Sequence, residues 1–322
     1  MAGVTVDEAI ERFLRDLEVG RSPATVATYR SVLRRFAEFL DGSTPRPATV
    51  EELTADHPVD FARWVSDGGR APRTTVQLYT TAVTRLYAYL VREDLRPELP
   101  LPKIQLRLTQ LRGKRPKRLP KVPTDELMER IVAAAHALPP ADTPVGERRR
   151  LRNVAVVETL RGSGVRVSEL VSLRRGDLDR ENRRAVVTGK GDKQRLVFFT
   201  DAAWRAIWAY LEARGDGGTG RGLAALPVFA RHDQAARGRP LPLTTQSVRD
   251  VVWDLARRAG ASEMGITPHR FRAWFATRMV AETGDLAATQ DLLGHESADT
   301  TRVYTKVAAQ RLAEAHRRAF AS

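Results

Sequence analysis

The chain has 322 residues, enough for two domains that each bury a core. Its 53 Lys and Arg against 39 Asp and Glu give a formal charge of +14, which favours a polyanionic partner. It contains no cysteine, so a disulfide framework, a thiolate metal site and a cysteine nucleophile are all excluded.

No apolar run approaches the ~20 residues of a membrane span. Residues 1–11 carry early acids and no apolar h-region. The expectation is a soluble, cytoplasmic (nucleoid-associated) protein with no membrane partner.

Residues 5 to 91 read as helices. Thr5-Val6-Asp7-Glu8 has capping-box spacing, and Ile10, Phe13, Leu14 and Leu17 form one apolar face. Ser22-Pro23 marks a second start, continued by Tyr29, Leu33, Phe36 and Leu40. A third helix holds Phe61, Trp64 and Val65. A fourth follows Pro72 and turns Val76, Tyr79, Val83, Leu86 and Leu90 inward. The aromatics at this spacing are expected in the core rather than in a base-stacking row.

Between Lys103 and Lys121 the chain holds eight basic side chains and no acid, with prolines and one glycine as helix breakers. This stretch is expected to be a linker. Its Lys114, Arg115, Lys117 and Arg118 are the candidate DNA-binding residues, because so many like charges repel one another unless a phosphate backbone lies alongside. The expected organisation is a helical domain over 1–102, a basic linker over 103–121 and a second domain over 122–322.

From Thr124 onward the pattern is mixed. Helices are predicted near 124–137, 147–161, 245–259, 269–282 and 285–293, with another around Trp204, Ile207, Trp208 and Leu211. Ala185-Val186-Val187-Thr188 and Leu196-Val197-Phe198-Phe199 flank a tight Gly189-Lys190-Gly191-Asp192 turn and predict a hairpin. Residues 307–320 predict an amphipathic terminal helix.

Six residues in this half carry chemistry: Arg166, Lys190, His269, Arg272, His295 and Tyr304. Tyrosine supplies an oxygen nucleophile. Two arginines can clamp phosphate oxygens as a pentavalent transition state forms. Histidine moves protons near neutral pH, and a lysine can protonate a departing hydroxyl. Together they suit attack on a phosphodiester without a metal. Arg166 follows a glycine turn, and Arg272 stands three residues after His269 on one helix face. Glu169, one turn after Arg166, is expected to orient a cation. Lys193 competes with Lys190 for the lysine's role. His57, His136, His232 and His316 lack comparable company.

In this order, Val165-Arg166-Val167-Ser168-Glu169-Leu170, His269-Arg270-Phe271-Arg272, Leu292-Leu293-Gly294-His295 and Thr300-Thr301-Arg302-Val303-Tyr304 resemble the tyrosine recombinase (phage integrase-like) family, most closely its Xer-like branch. The resemblance implies a mainly α fold with a small β-sheet, in which an N-terminal four-helix SAM-like core-binding domain precedes a tyrosine-recombinase catalytic domain with a C-terminal exchange helix. It implies cleavage and rejoining of double-stranded DNA at specific recombination sites through a 3′-phosphotyrosine and a Holliday junction. It further implies that no metal, ATP or other cofactor takes part and that a homo-tetramer or hetero-tetramer assembles on DNA.

The resemblance also places the acid at Lys190, phosphate stabilisation at His295 and proton transfer at His269. Ala273 and Trp274 stand where many Xer-like relatives have a histidine after the second arginine. That departure loosens assignment to chromosome-dimer resolution as against mobile-element integration. A type IB topoisomerase-like relaxing enzyme and a non-catalytic DNA-binding protein are the competing readings.

Overall fold

Thr5 stands in extended backbone, and its Oγ1 accepts from the Glu8 amide at 3.2 Å. This satisfies one of the orphan donors of a helix start. Helix α1 (Val6–Gly20) follows in this computed structural model, which describes residues 3–66, 71–112, 121–189, 193–218 and 221–294. Ser22 caps α2 (Pro23–Asp41) in the same way, with proline in its first turn. Then come α3 (His57–Ser66), α4 (Arg73–Arg92) and α5 (Leu101–Arg112).

The apolar faces expected of α1 and α2 are buried. Phe61 is fully buried, with Phe36 edge-on at 5.1 Å and Tyr79 stacked at 6.0 Å. The aromatics of this unit are therefore mostly core. Trp64 departs from that reading: it is 41% exposed, with the Arg35 guanidinium 5.1 Å from its ring centroid.

Helix α5 corrects the expected linker. Residues 103–112 continue a helix, and Ile104 and Leu108 are buried in the core of the first unit. The breakers Gly113, Pro116 and Pro120 all come after Arg112. The spacing of Ile104 and Leu108 was thus free to act as a one-face helical signal. By its contacts the chain divides into two units, Met1–Lys117 and Arg118–Ser322. Lys114, Arg115, Lys117 and Arg118 lie outside the described residues.

The second unit opens with α6 (Asp125–His136) and α7 (Pro144–Ser163). The latter begins three residues before the expected start. Its signal is Thr143-Pro144, of the same kind as Ser22-Pro23, with Thr143 Oγ1 accepting from Gly146 N at 3.1 Å. Residues 154–160 of α7 are buried without a break, which makes it the central helix of the unit. Short α8 (Val167–Ser172) leads to an antiparallel sheet of β1 (Leu178–Asp179), β2 (Arg184–Thr188) and β3 (Gln194–Phe198).

Val186 pairs with Leu196 in the expected hairpin, while the two-residue β1 carries no sequence pattern long enough to read. Then follow α9 (Asp201–Arg214), α10 (Thr245–Arg258), α11 (Pro268–Thr283) and α12 (Leu286–Leu293). Among the described residues the architecture is mainly α with one small sheet. Among the described residues no helix is long and apolar enough to cross a membrane. The helix expected at 307–320 lies outside the described residues.

Candidate active site

Helix α7 ends at Gly164, whose φ is +60°. Glycine enters this left-handed region without a Cβ penalty. A Cβ here would also lie 2.4 Å from the Phe275 ring, so close packing requires glycine as well. The turn delivers Arg166 to the start of α8. Its backbone N–H donates to Glu169 Oε2 at 2.8 Å, and its Nη1 donates to Glu169 Oε1 at 2.7 Å. Glu169 thus fixes Arg166, as its position one turn on suggested.

A residue that the sequence reading passed over completes this cluster. Arg195 Nη2 donates to Glu169 Oε2 at 2.7 Å, so one buried carboxylate serves two guanidiniums. Burial pushes the Glu169 carboxyl up, but Arg195 and Arg166 outweigh it and hold the group below the usual carboxylate range. The available signal was strand alternation. Arg195, Val197 and Phe199 share the inward face, and a cation in that register needs a buried partner.

The end of α12 shows what the cluster is built around. The carbonyls of Leu292, Leu293 and Gly294 accept, one each, from Arg195 Nη1, Arg272 Nη2 and Arg166 Nη2, the last at 2.6 Å. The last carbonyls of a helix lack intrahelical partners and carry its negative dipole end, so guanidiniums suit them. Gly294 has φ +58°, and a Cβ on it would meet Arg195 Cδ at 2.7 Å. Arg272, on α11, is 4% exposed and also donates from Nη1 to the Gly164 carbonyl at 2.7 Å. Arg166 and Arg272, far apart in sequence, therefore meet on adjacent carbonyls.

His269 lies one turn before Arg272 on α11 and is exposed at the surface. Partial desolvation, then the Arg272 charge, lower its pKa below the usual histidine value. The shift favours the neutral imidazole, the form that can accept a proton.

Lys190, His295 and Tyr304 lie outside the described residues. The chain leading to two of them is described. Gly189 lies against the Arg166–Glu169 pair: a Cβ there would be 3.5 Å from Glu169 Oε1 and 3.7 Å from Arg166 Nη1. The Gly294 carbonyl, immediately before His295, accepts from Arg166 Nη2. Lys193 is exposed, and its carbonyl accepts from Gly189 N at 2.8 Å.

The sequence profile of the phage integrase family matches residues 122–311. The chain belongs to this family. The profile of the phage integrase N-terminal SAM-like domain matches residues 10–94. This integrase-family chain is 33% identical to tyrosine recombinase XerD of Xanthomonas campestris over 319 residues, covering 97% of this chain and 91% of that protein. Tyrosine recombinase XerD of Mycobacterium tuberculosis is 34% identical, with 92% of each chain covered. XerH site-specific recombinase, in a pre-cleavage complex with its difH substrate, superposes with a TM-score of 0.72 at 19% identity, covering 98% of this chain and 97% of that one. The fold is thus that of the tyrosine recombinases: a SAM-like N-terminal domain followed by an integrase catalytic domain.

Proposed function

We propose that this tyrosine-type recombinase cuts and rejoins double-stranded DNA at specific sites through a 3′-phosphotyrosine. The reading rests most on one observation. Three arginines seize the consecutive carbonyls of Leu292, Leu293 and Gly294, at the point where the chain leaves for His295.

Arg166 and Arg272 hold the non-bridging oxygens of the scissile phosphate and neutralise charge as phosphorus becomes pentavalent. Tyr304 Oη attacks phosphorus and gives up its proton, with His269 assisting as the neutral base. The bond from phosphorus to the 5′-oxygen breaks, and Lys190 supplies the proton to that oxygen. His295 stabilises the phosphate. The phosphotyrosine conserves the energy of the broken bond. Attack by a 5′-hydroxyl therefore reseals the strand without ATP, and the cations do what metal ions would otherwise do.

Exchange of one strand pair and then the other passes through a Holliday junction in a tetramer of identical or paired protomers. The basic residues Lys114, Arg115, Lys117 and Arg118 lie along the DNA backbone between an N-terminal domain and a catalytic domain that starts near residue 122. The segment at 307–320 docks on a neighbouring protomer. The compartment that fits this substrate is the cytoplasm, at the nucleoid.

A nicked suicide substrate tests the reading. In EDTA the wild type should accumulate a covalent protein–DNA adduct, while Tyr304→Phe should bind the same duplex and form none. An equally abundant adduct with Tyr304→Phe would remove the tyrosine from the mechanism.

A further inference from the structure

A second basic site stands at the opposite end of α7 from Gly164. Its cavity of about 530 Å³ is lined by Arg148, Arg149, Arg214, Arg231 and Arg239, with Asp233 the one acid on its wall. Sixteen residues separate Arg148 from Gly164 along α7, which at ~1.5 Å per residue is about 24 Å. The cavity therefore does not belong to the arginine cluster around Glu169.

Its wall is built rather than incidental. The chain from Arg231 to Leu241 is closed by the Ala230–Pro242 bridge, and Arg231 N donates to Leu241 O at 2.8 Å. Arg149 is pinned by the His232 carbonyl, which accepts from its Nε at 2.9 Å. Beneath, Tyr210 Oη and His232 Nε2 share a hydrogen bond of 2.8 Å. Arg152, 8% exposed, donates to the Ala230 carbonyl and to Asn153, and no carboxylate among the described residues forms an ion pair with it.

The acids nearby are already engaged. Asp233 pairs with Arg231 at 2.8 Å, and Asp216 pairs with Arg214. Arg148 and Arg239 make no ion pair among the described residues, yet both line the cavity. The excess of positive charge is felt inside it. Desolvation, then Arg152, Arg148, Arg214 and Arg149, push His232 down to about 4. A cation buried like Arg152 or half-buried like Arg148, without a counter-charge, is costly, and an anion that supplies several oxygens removes the cost.

We propose that this cavity binds a compact anion with clustered phosphates, held by Arg148 and Arg239 and backed by Arg149 and Arg152. Its concavity and volume suit a small molecule, for which pockets run from ~300 to ~1,000 Å³. A duplex backbone would instead present its phosphates along an open surface. The ligand class is therefore a free polyphosphate or a nucleoside polyphosphate.

The test uses the full chain and inorganic tripolyphosphate, titrated calorimetrically in magnesium-free buffer. One equivalent should bind, more tightly than orthophosphate at equal ionic strength. Arg148→Ala/Arg239→Ala should weaken tripolyphosphate at least ~10-fold, as expected for the loss of two charge-assisted contacts. Arg148→Lys/Arg239→Lys should restore part of the affinity. Affinity for a 30-base-pair duplex, read by anisotropy, should be the same for wild type and double-alanine variant. Equal tripolyphosphate binding by the wild type and the double-alanine variant overturns the site. Parallel loss of duplex and tripolyphosphate binding also overturns it, because the cavity would then be one more contact to the DNA backbone.

Discussion

Among the described residues of the first unit, tyrosines aside, Thr80 is the one polar side chain that is buried, whereas the second unit buries Arg152, Glu158, Glu169, Asp216 and Arg272. The first unit follows the simplest rule for a stable core: aromatic and aliphatic groups leave water and few polar atoms need partners. The second carries charges that cost several kcal/mol each to desolvate and are tolerated only when paired or fully hydrogen-bonded. Glu169 meets that condition with two arginines, and Arg272 meets it with the carbonyls of Gly164 and Leu293. An apolar cluster of the same volume would hold the second unit together as well or better. Under the proposed function, the charges of Glu169 and Arg272 are accounted for by what the arginine pair does to a phosphate.

The contrast is sharpest in a substitution that attacks the apolar unit. Phe61→Ala removes a fully buried ring that touches Phe36, Phe39, Trp64 and Tyr79. Truncating a core phenylalanine costs about 3–5 kcal/mol. Denaturant melting should show a loss of that size, unchanged between pH 5 and pH 8 because no titrating group is involved. A loss below about 1 kcal/mol would mean the aromatic cluster is not the keystone of the first unit.

Arg272→Lys should act chiefly on cleavage. A lysine keeps the charge but loses the planar fork that reaches two carbonyls at once. At least one of the two buried carbonyls loses its donor, so stability should fall by about 1–3 kcal/mol, less than for Phe61→Ala. Cleavage should fall by about 10²–10³-fold, the size expected for losing one transition-state donor. Full cleavage by Arg272→Lys, measured on the suicide substrate, would show that the fork does not touch the phosphate.

Glu169→Gln probes how charge burial depends on pH. The carboxyl is held below its usual range, so the native state favours the ionised form. Its contribution to stability is present above the unfolded value of ~4.3 and is lost as pH falls through the lower folded value. The amide should cost about 3 kcal/mol at pH 7, because two guanidiniums lose their anion. Below pH 4 the gap between variant and wild type should narrow. A gap that stays constant down to pH 3 would show that the carboxylate charge is not what holds the two arginines.

The same contrast decides how much could be read from the sequence. Apolar periodicity reports on apolar cores, so α1, α2 and α4 were legible from their spaced aromatics and leucines. Arg166, His269 and Arg272 could be singled out because they stand in short ordered runs, and the structure brings Arg166 and Arg272 together on adjacent carbonyls. Arg195 was not, since a single arginine in a strand looks like a surface cation until its inward register is weighed against its charge. Helix α5 was hidden by composition. Eight basic residues between 103 and 121 read as one stretch, although the helix breakers begin only at Gly113. The convergence of three arginines on α12 is a tertiary fact with no local signature at all.

The smallest effect belongs on the surface of the charged unit. Trp253, on α10, is 58% exposed, with the Arg257 guanidinium 5.9 Å from its ring centroid. Its helix buries Val248, Val251, Val252 and Leu255 on the other face, so the packing of α10 does not depend on the indole. A cation–π contact at an exposed site is worth about 0.5–1 kcal/mol, and losing apolar area already in water costs nothing further. Trp253→Ser should therefore shift stability by under about 1 kcal/mol and leave cleavage unchanged. A loss of several kcal/mol in the isolated protein would mean that the second unit leans on surface aromatics as the first leans on buried ones, and the contrast between the two units would weaken.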